Sequence, residues 1–191
     1  TGNAVLNEIQ VTATALPTNS VSGRFVRVEL PGKKKILSLA EVQVFSAGEN
    51  IAPAGKAAQS STAFDGDARR AIDGNTDGDY FKAKSTTHTR AEDDPWWEVD
   101  LGTPVEVDTV GIWNREGLSD RLDGFTLKLL DATRKEVFVA SNIAAPQTMV
   151  IDVKNGGKQT YLAFDGKPGK PGERAGHDAP GGEADEDAGE R

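Results

Sequence analysis

The chain has 191 residues, a net charge of −8, two histidines and no cysteine. The acidic balance excludes nucleic acid as the main partner, because phosphate binding needs a basic face. The missing thiols exclude disulfide staples, a cysteine nucleophile and a cysteine-ligated zinc, and leave hard cations that prefer oxygen as the metals this composition can hold.

The first segment, "NAVLNEIQVTA", is strand-like. No basic stretch followed by an apolar one precedes it, so no signal peptide is visible. Residues 1–14 therefore read as a strand remnant of an upstream module in a longer protein. Period-two alternation then marks strands along the chain. "RFVRVEL" sets Val26, Val28 and Leu30 against Arg27 and Glu29. "AEVQVF" repeats the pattern with Val42 and Val44, and "WWEVDL" sets Trp97, Val99 and Leu101 against Trp96, Glu98 and Asp100. "DTVGIW", "GFTLKLL", "EVFVA", "TMVIDV" and "TYLAF" follow, separated by turn sequences such as "PGKKK", "DGNTDGD", "NREGLSD" and "KNGGK". Only "LSLAEV" and "DARRAID" offer a helical turn. Many short strands between turn signals predict an all-β sandwich or jelly roll. No apolar run approaches the ~18 residues of a membrane span.

Composition changes near residue 166. "GKPGKPGERAGHDAPGGEADEDAGER" has little to bury, so residues 166–191 are expected to be a disordered tail, and His177 within it has no role. The Gly-X-Y triplets there break phase too soon for a collagen helix.

Chemistry is sparse. A Ser-His-Asp arrangement would rest on His88 alone and no G-x-S-x-G elbow occurs, so an enzyme is not expected. "DGNTDGD" matches the first half of an EF-hand loop, but Lys84 stands where a bidentate Glu is required. Two readings stay open for it: a calcium site of another kind, or a plain Asx turn. Arg115 and Arg121 bracket one loop. Their guanidinium groups suit sugar hydroxyls or carboxylates, although Glu116 and Asp120 would also serve as surface partners. His88, taken alone, reads as a structural histidine.

Together these stretches are similar to the F-type lectin (fucolectin) family, within the discoidin, or coagulation-factor type C, superfamily with its galactose-binding-like β-sandwich jelly roll. "NIAPAGKAAQSS" resembles the family's opening strand, "AIDGN" its ion-binding turn, "STTHT" its histidine loop, "DPWWEVDLG" its central strand and "IWNREGLSDRLDGF" its arginine loop. The resemblance covers roughly residues 22–140. It implies a non-catalytic carbohydrate-binding module for fucose or a related terminal sugar, with fucosylated glycans as partners and an extracellular or cell-envelope location. His88, Arg115 and Arg121 would hold the sugar, with Tyr80 or Phe81 as the wall for its methyl group. The arginine loop is one residue shorter than the family's, and Leu118 and Ser119 stand where many members carry a cysteine pair.

The resemblance also implies calcium, held by Asp73 and Ser85 with the carbonyls of Arg70 and Asn75. The family's remaining ligands lie in a motif like "LSLAEVQVF". Here that motif comes ahead of the other elements, so Ala40 (carbonyl) and Glu41 would complete the shell only if residues 22–45 close the same sandwich as a circular permutation. The competing reading makes them the tail of a preceding repeat. Permutation is favoured, giving a domain over 22–165. A discoidin-like adhesion or protein-interaction domain, and a targeting appendage of a larger enzyme, remain the alternatives for function. The domain is expected to sit in a multidomain chain or an oligomer.

Overall fold

The computed structural model describes residues 21–145 and 147–162. The strand remnant expected over 1–14, the tail expected over 166–191 and His177 lie outside the described residues.

In chain order the strands are β1 (Val21–Glu29), β2 (Leu39–Ser46), β3 (Glu49–Asn50), β4 (Lys56–Gln59), β5 (Trp96–Val107), β6 (Thr109–Asn114), β7 (Phe125–Leu130), β8 (Glu136–Ile143), β9 (Thr148–Asp152) and β10 (Lys158–Leu162). They form two five-stranded sheets, ordered β4-β5-β1-β7-β8 and β10-β9-β6-β2-β3, with antiparallel pairing throughout. The apolar face of each alternating strand turns into one shared core. Val26 and Val28 meet Trp97 and Val99 on one side, and Val42, Val44, Val110, Ile112, Met149 and Ile151 line the other sheet, all fully buried. This is the β-sandwich that the alternation predicts.

The two earliest strands are interior ones. β1 lies between β5 and β7, pairing Val26 with both Val99 and Leu129. β2 lies between β6 and β3. Residues 21–46 thus supply a middle strand to each sheet, and without β1 the first sheet would fall into two hairpin-sized halves.

The Trp pair is split by the pleat. Trp97 is fully buried and its indole N–H donates to the Ala68 carbonyl at 2.8 Å. Trp96 faces outward, with the Arg27 guanidinium 4.1 Å from its ring centroid. Arg27 and Arg134 also reach Glu98 on that outer face, and Arg24 forms a two-pronged pair with Asp100. Trp97→Ala is expected to cost about 3–5 kcal/mol of folding stability through the cavity and the stranded carbonyl, and Trp96→Ala about 1 kcal/mol through a lost exposed stack. Chemical denaturation of the two variants checks this ordering; equal losses would contradict it.

Two local expectations differ from what is observed. "LSLAEV" is extended, not helical. The β2–β6 register skips Ala40, passing from Leu39↔Asn114 to Glu41↔Trp113. That one-residue bulge puts the core residues Leu39 and Val42 three apart, which mimics helical spacing in the sequence. Conversely, a single helical turn forms over Tyr80–Ala83 where none is expected, because the Asp79 side chain caps the N–H groups of Phe81 and Lys82. "DARRAID" does hold its turn, a 3-10 helix over Ala68–Ile72.

Candidate functional site

At one end of the sandwich the "STTHT" segment runs beside the residues that lead into β2. Thr87 N donates to Leu39 O at 2.9 Å and Thr89 N to Leu37 O at 3.1 Å, while the Thr87 and Thr89 hydroxyl oxygens accept from Leu39 N and Leu37 N. Alternate threonines are thereby fixed, and His88 between them is set on the opposite side. His88 is only 2% exposed. Its backbone is bolted to the neighbouring loop, with His88 N donating to Gly66 O and His88 O accepting from Ala63 N. Gly66 is required there, since a Cβ would lie 2.4 Å from His88 N.

The His88 ring is oriented by a 2.7 Å contact between Nδ1 and the Thr89 carbonyl. A carbonyl only accepts, so Nδ1 carries a proton. Tyr80 lies 5.8 Å away, centroid to centroid, and Phe64 packs edge-on at 5.1 Å. Arg115, 5% exposed, extends from the end of β6 so that its guanidinium carbon sits 4.4 Å from the Tyr80 ring centroid and 5.9 Å from that of Phe81. The arginine loop is closed at its base by Asn114, whose Oδ1 accepts from Arg115 N and whose Nδ2 donates to Ser119 O. This tie carries the 3-10 turn Ser119–Leu122, with a half-buried Arg121, back toward the strand that bears Arg115. Glu116 N donates to Gly78 O, which joins the arginine loop to the segment leading to Tyr80.

The sequence-predicted residues His88, Arg115, Tyr80 and Phe81 are thus gathered in one cluster. Phe64 joins them and was not foreseen. It is 48% exposed, and both it and Asp65 adopt left-handed backbone (φ 49° and 56°), a strained conformation for non-glycine residues. Nothing in the local sequence "TAFDGD" marks it, because the contact comes from a loop distant in the chain. Among the described residues Phe81, at 61%, is the other large aromatic left in solvent. The arrangement offers planar guanidinium N–H donors and an oriented imidazole framed by aromatic surface, which suits a small ligand with both hydroxyls and an apolar edge.

A second cluster adjoins it. In "DGNTDGDYF" four alternate side chains accept from the backbone N–H two residues on: Asp73 from Asn75, Asn75 from Asp77, Asp77 from Asp79, and Asp79 from Phe81. The Asx-turn reading of this stretch is realised as a chain of four. Ser85, buried, donates to Asp77 O. Glu41, fully buried, comes from β2 just past the bulge at Ala40. One of its oxygens accepts from Gly74 N at 3.2 Å; the other, Oε2, has no hydrogen-bond partner among the described residues. Burial, and then the charge of Asp73, push the Glu41 carboxyl up to about 7. The Arg70 guanidinium lies against Thr86 O at 3.4 Å. Among the described residues no three Asp, Glu or His side chains converge. The set is two carboxylates with a hydroxyl and carbonyls, a donor mix that hard divalent cations accept. An orphaned carboxylate oxygen beside a second acid is the feature such a cation would relieve, so the residues fit the calcium expected from the sequence.

No helix among the described residues is long and apolar enough to cross a membrane. A sequence family described as "NedA-like, galactose-binding domain" matches residues 70–164. A fucolectin of the eel Anguilla anguilla is 36% identical over 87 residues, covering 42% of this chain and 54% of the eel protein. Fucolectin-6 of Anguilla japonica is 40% identical over 94 residues, covering 42% and 50%. The chain thus spans about half the length of the curated relatives it matches. Among solved structures, a fucose binding module of Streptococcus pneumoniae superimposes with a TM-score of 0.53 at 39% identity, over 61% of this chain and 83% of that one.

Proposed function

Because the chain belongs to the F-type lectin family within the discoidin-like superfamily, we propose that residues 21–162 form a carbohydrate-binding module that holds a terminal fucose or a closely related sugar without catalysis. The observation that carries this reading is the buried Arg115 guanidinium stacked on Tyr80, next to an oriented His88. His88 and Arg115, with Arg121 from the tied-back turn, contact ring and hydroxyl oxygens. Tyr80, Phe81 and Phe64 present the apolar surface on which a 6-deoxy methyl group rests.

Calcium belongs to the same proposal. Asp73, Ser85 and Glu41, with the carbonyls of Arg70, Asn75 and Ala40, would hold it, and its charge would neutralise the buried Glu41 carboxyl and the exposed Asp73 beside it. It would act as a brace: Glu41 is anchored in β2, while Asp73 begins the segment that carries Tyr80 and Phe81.

β1 and β2 precede the family match yet lie inside the sheets, which favours circular permutation over a preceding repeat as the account of their order. A glycan ligand favours an extracellular or cell-envelope location. The weak affinity of one site for one monosaccharide favours a multidomain or oligomeric setting, where multivalency adds avidity.

Titration calorimetry of the full chain with L-fucose, with calcium and again with a chelator, tests the function. Saturable heat that weakens in chelator is expected. No heat with fucose, alongside a calcium-dependent rise in melting temperature, would overturn the fucose assignment and point to another sugar or a protein partner, in keeping with the shortened loop between Arg115 and Arg121.

A further inference from the structure

Ser38 has no role in anything described so far, yet its position is unusual. It is 5% exposed, and its Oγ has no hydrogen-bond partner among the described residues. An unsatisfied buried hydroxyl is destabilising, so it calls for a reason. Leu37 and Leu39 on either side of it are fully buried in the core. Alternation therefore turns Ser38 the other way.

Its neighbours follow from the backbone pairing. Leu37 is bonded to Thr89 and Leu39 to Thr87, which places Ser38 opposite His88. His88 directs its own N–H and carbonyl away, to Gly66 and Ala63, as the middle residue of a closely spaced antiparallel pair does. On the other flank, Leu39, the residue after Ser38, is the register partner of Asn114, the residue before Arg115. The three buried polar residues His88, Ser38 and Arg115 thus lie at one end of three adjacent backbone segments.

We propose that Ser38 is a ligand-contacting, specificity-determining residue of the sugar site, its Oγ hydrogen-bonding a sugar hydroxyl held between His88 and Arg115. This rests on the fucose-binding reading above. The bound sugar supplies the partner that the protein withholds. Serine suits the place because its hydroxyl both donates and accepts, as a sugar hydroxyl does.

The test uses the full chain and Ser38→Ala, titrated with L-fucose and its 2-, 3- and 4-deoxy analogues, with thermal unfolding in the absence of sugar. Ser38→Ala is expected to bind fucose roughly 3- to 10-fold more weakly, the effect of one neutral hydrogen bond. Its sugar-free melting temperature should be no lower than that of the unsubstituted protein. The loss should vanish for the one analogue that lacks the contacted hydroxyl. Unchanged fucose affinity in Ser38→Ala, with strong binding by the unsubstituted protein, overturns the Ser38 assignment alone. An equal loss for every analogue with a fall in melting temperature also overturns it, making Ser38 structural. No heat from the unsubstituted protein overturns the fucose reading and the assignment with it.

Discussion

Arg115→Ala should abolish binding of L-fucose in titration calorimetry, weakening it by at least about a hundredfold, while the sandwich still folds. Two hydrogen bonds from a charged group, at about 1.5–3 kcal/mol each, account for a loss of that size. Here Arg115 is only 5% exposed and its guanidinium is held against Tyr80, so neither water nor a neighbouring side chain can replace its fixed donors. The fold should survive because Arg115 lies just beyond β6, outside the apolar cluster that holds the sheets together. Arg115→Lys keeps the charge but loses the planar fork, so it should rescue little of the affinity. Circular dichroism and melting of the variants separate lost binding from lost structure. A well-folded Arg115→Ala protein that binds within tenfold of the original would remove this residue from the site.

Glu41→Gln should produce opposite effects with and without calcium. In metal-free protein it removes a fully buried carboxyl whose charged form is disfavoured by burial and by Asp73, and one of whose oxygens has no hydrogen-bond partner among the described residues. Melting temperature in chelator should therefore stay level or rise. With calcium, the unsubstituted protein gains stability by mass action, about 2.7 kcal/mol at a hundredfold excess over the dissociation constant. Glu41→Gln should show almost none of that gain, because a neutral amide is a poor ligand for a hard dication. Differential scanning calorimetry in calcium and in chelator reads both effects. An undiminished calcium shift in Glu41→Gln would place the ion elsewhere or exclude it.

The core was legible because burial imposes a period on the sequence. Val26, Val28, Trp97, Val99, Val110 and Ile112 alternate with polar residues and are found where that alternation puts them. The His88 and Arg115 pair was legible only through resemblance, since nothing local to either residue indicates that they share Tyr80. The bulge at Ala40 disguised a strand as a helical turn, because one inserted residue converts a spacing of two into three. The turn over Tyr80–Ala83 was hidden for a related reason: four residues capped by Asp79 are too few to leave a periodic signature. Phe64 and Ser38 could not be read at all. What distinguishes them is an edge contact with His88 and a place between two neighbouring segments, and both are products of tertiary packing.

The interior position of β1 governs how the chain can be assembled. Among the described strands Val21–Glu29 is made first, yet its partners are Trp96–Val107 and Phe125–Leu130. On a ribosome this segment must wait, unpaired, until β7 has emerged, and only then can the two halves of the first sheet be joined through it. Such long-range closure slows folding and leaves an apolar ribbon exposed for the length of synthesis. The polar and charged positions that alternate along it, Arg24, Arg27 and Glu29, keep that ribbon in solution meanwhile. The same dependence means that no cut between β1 and β7 yields an autonomous fragment.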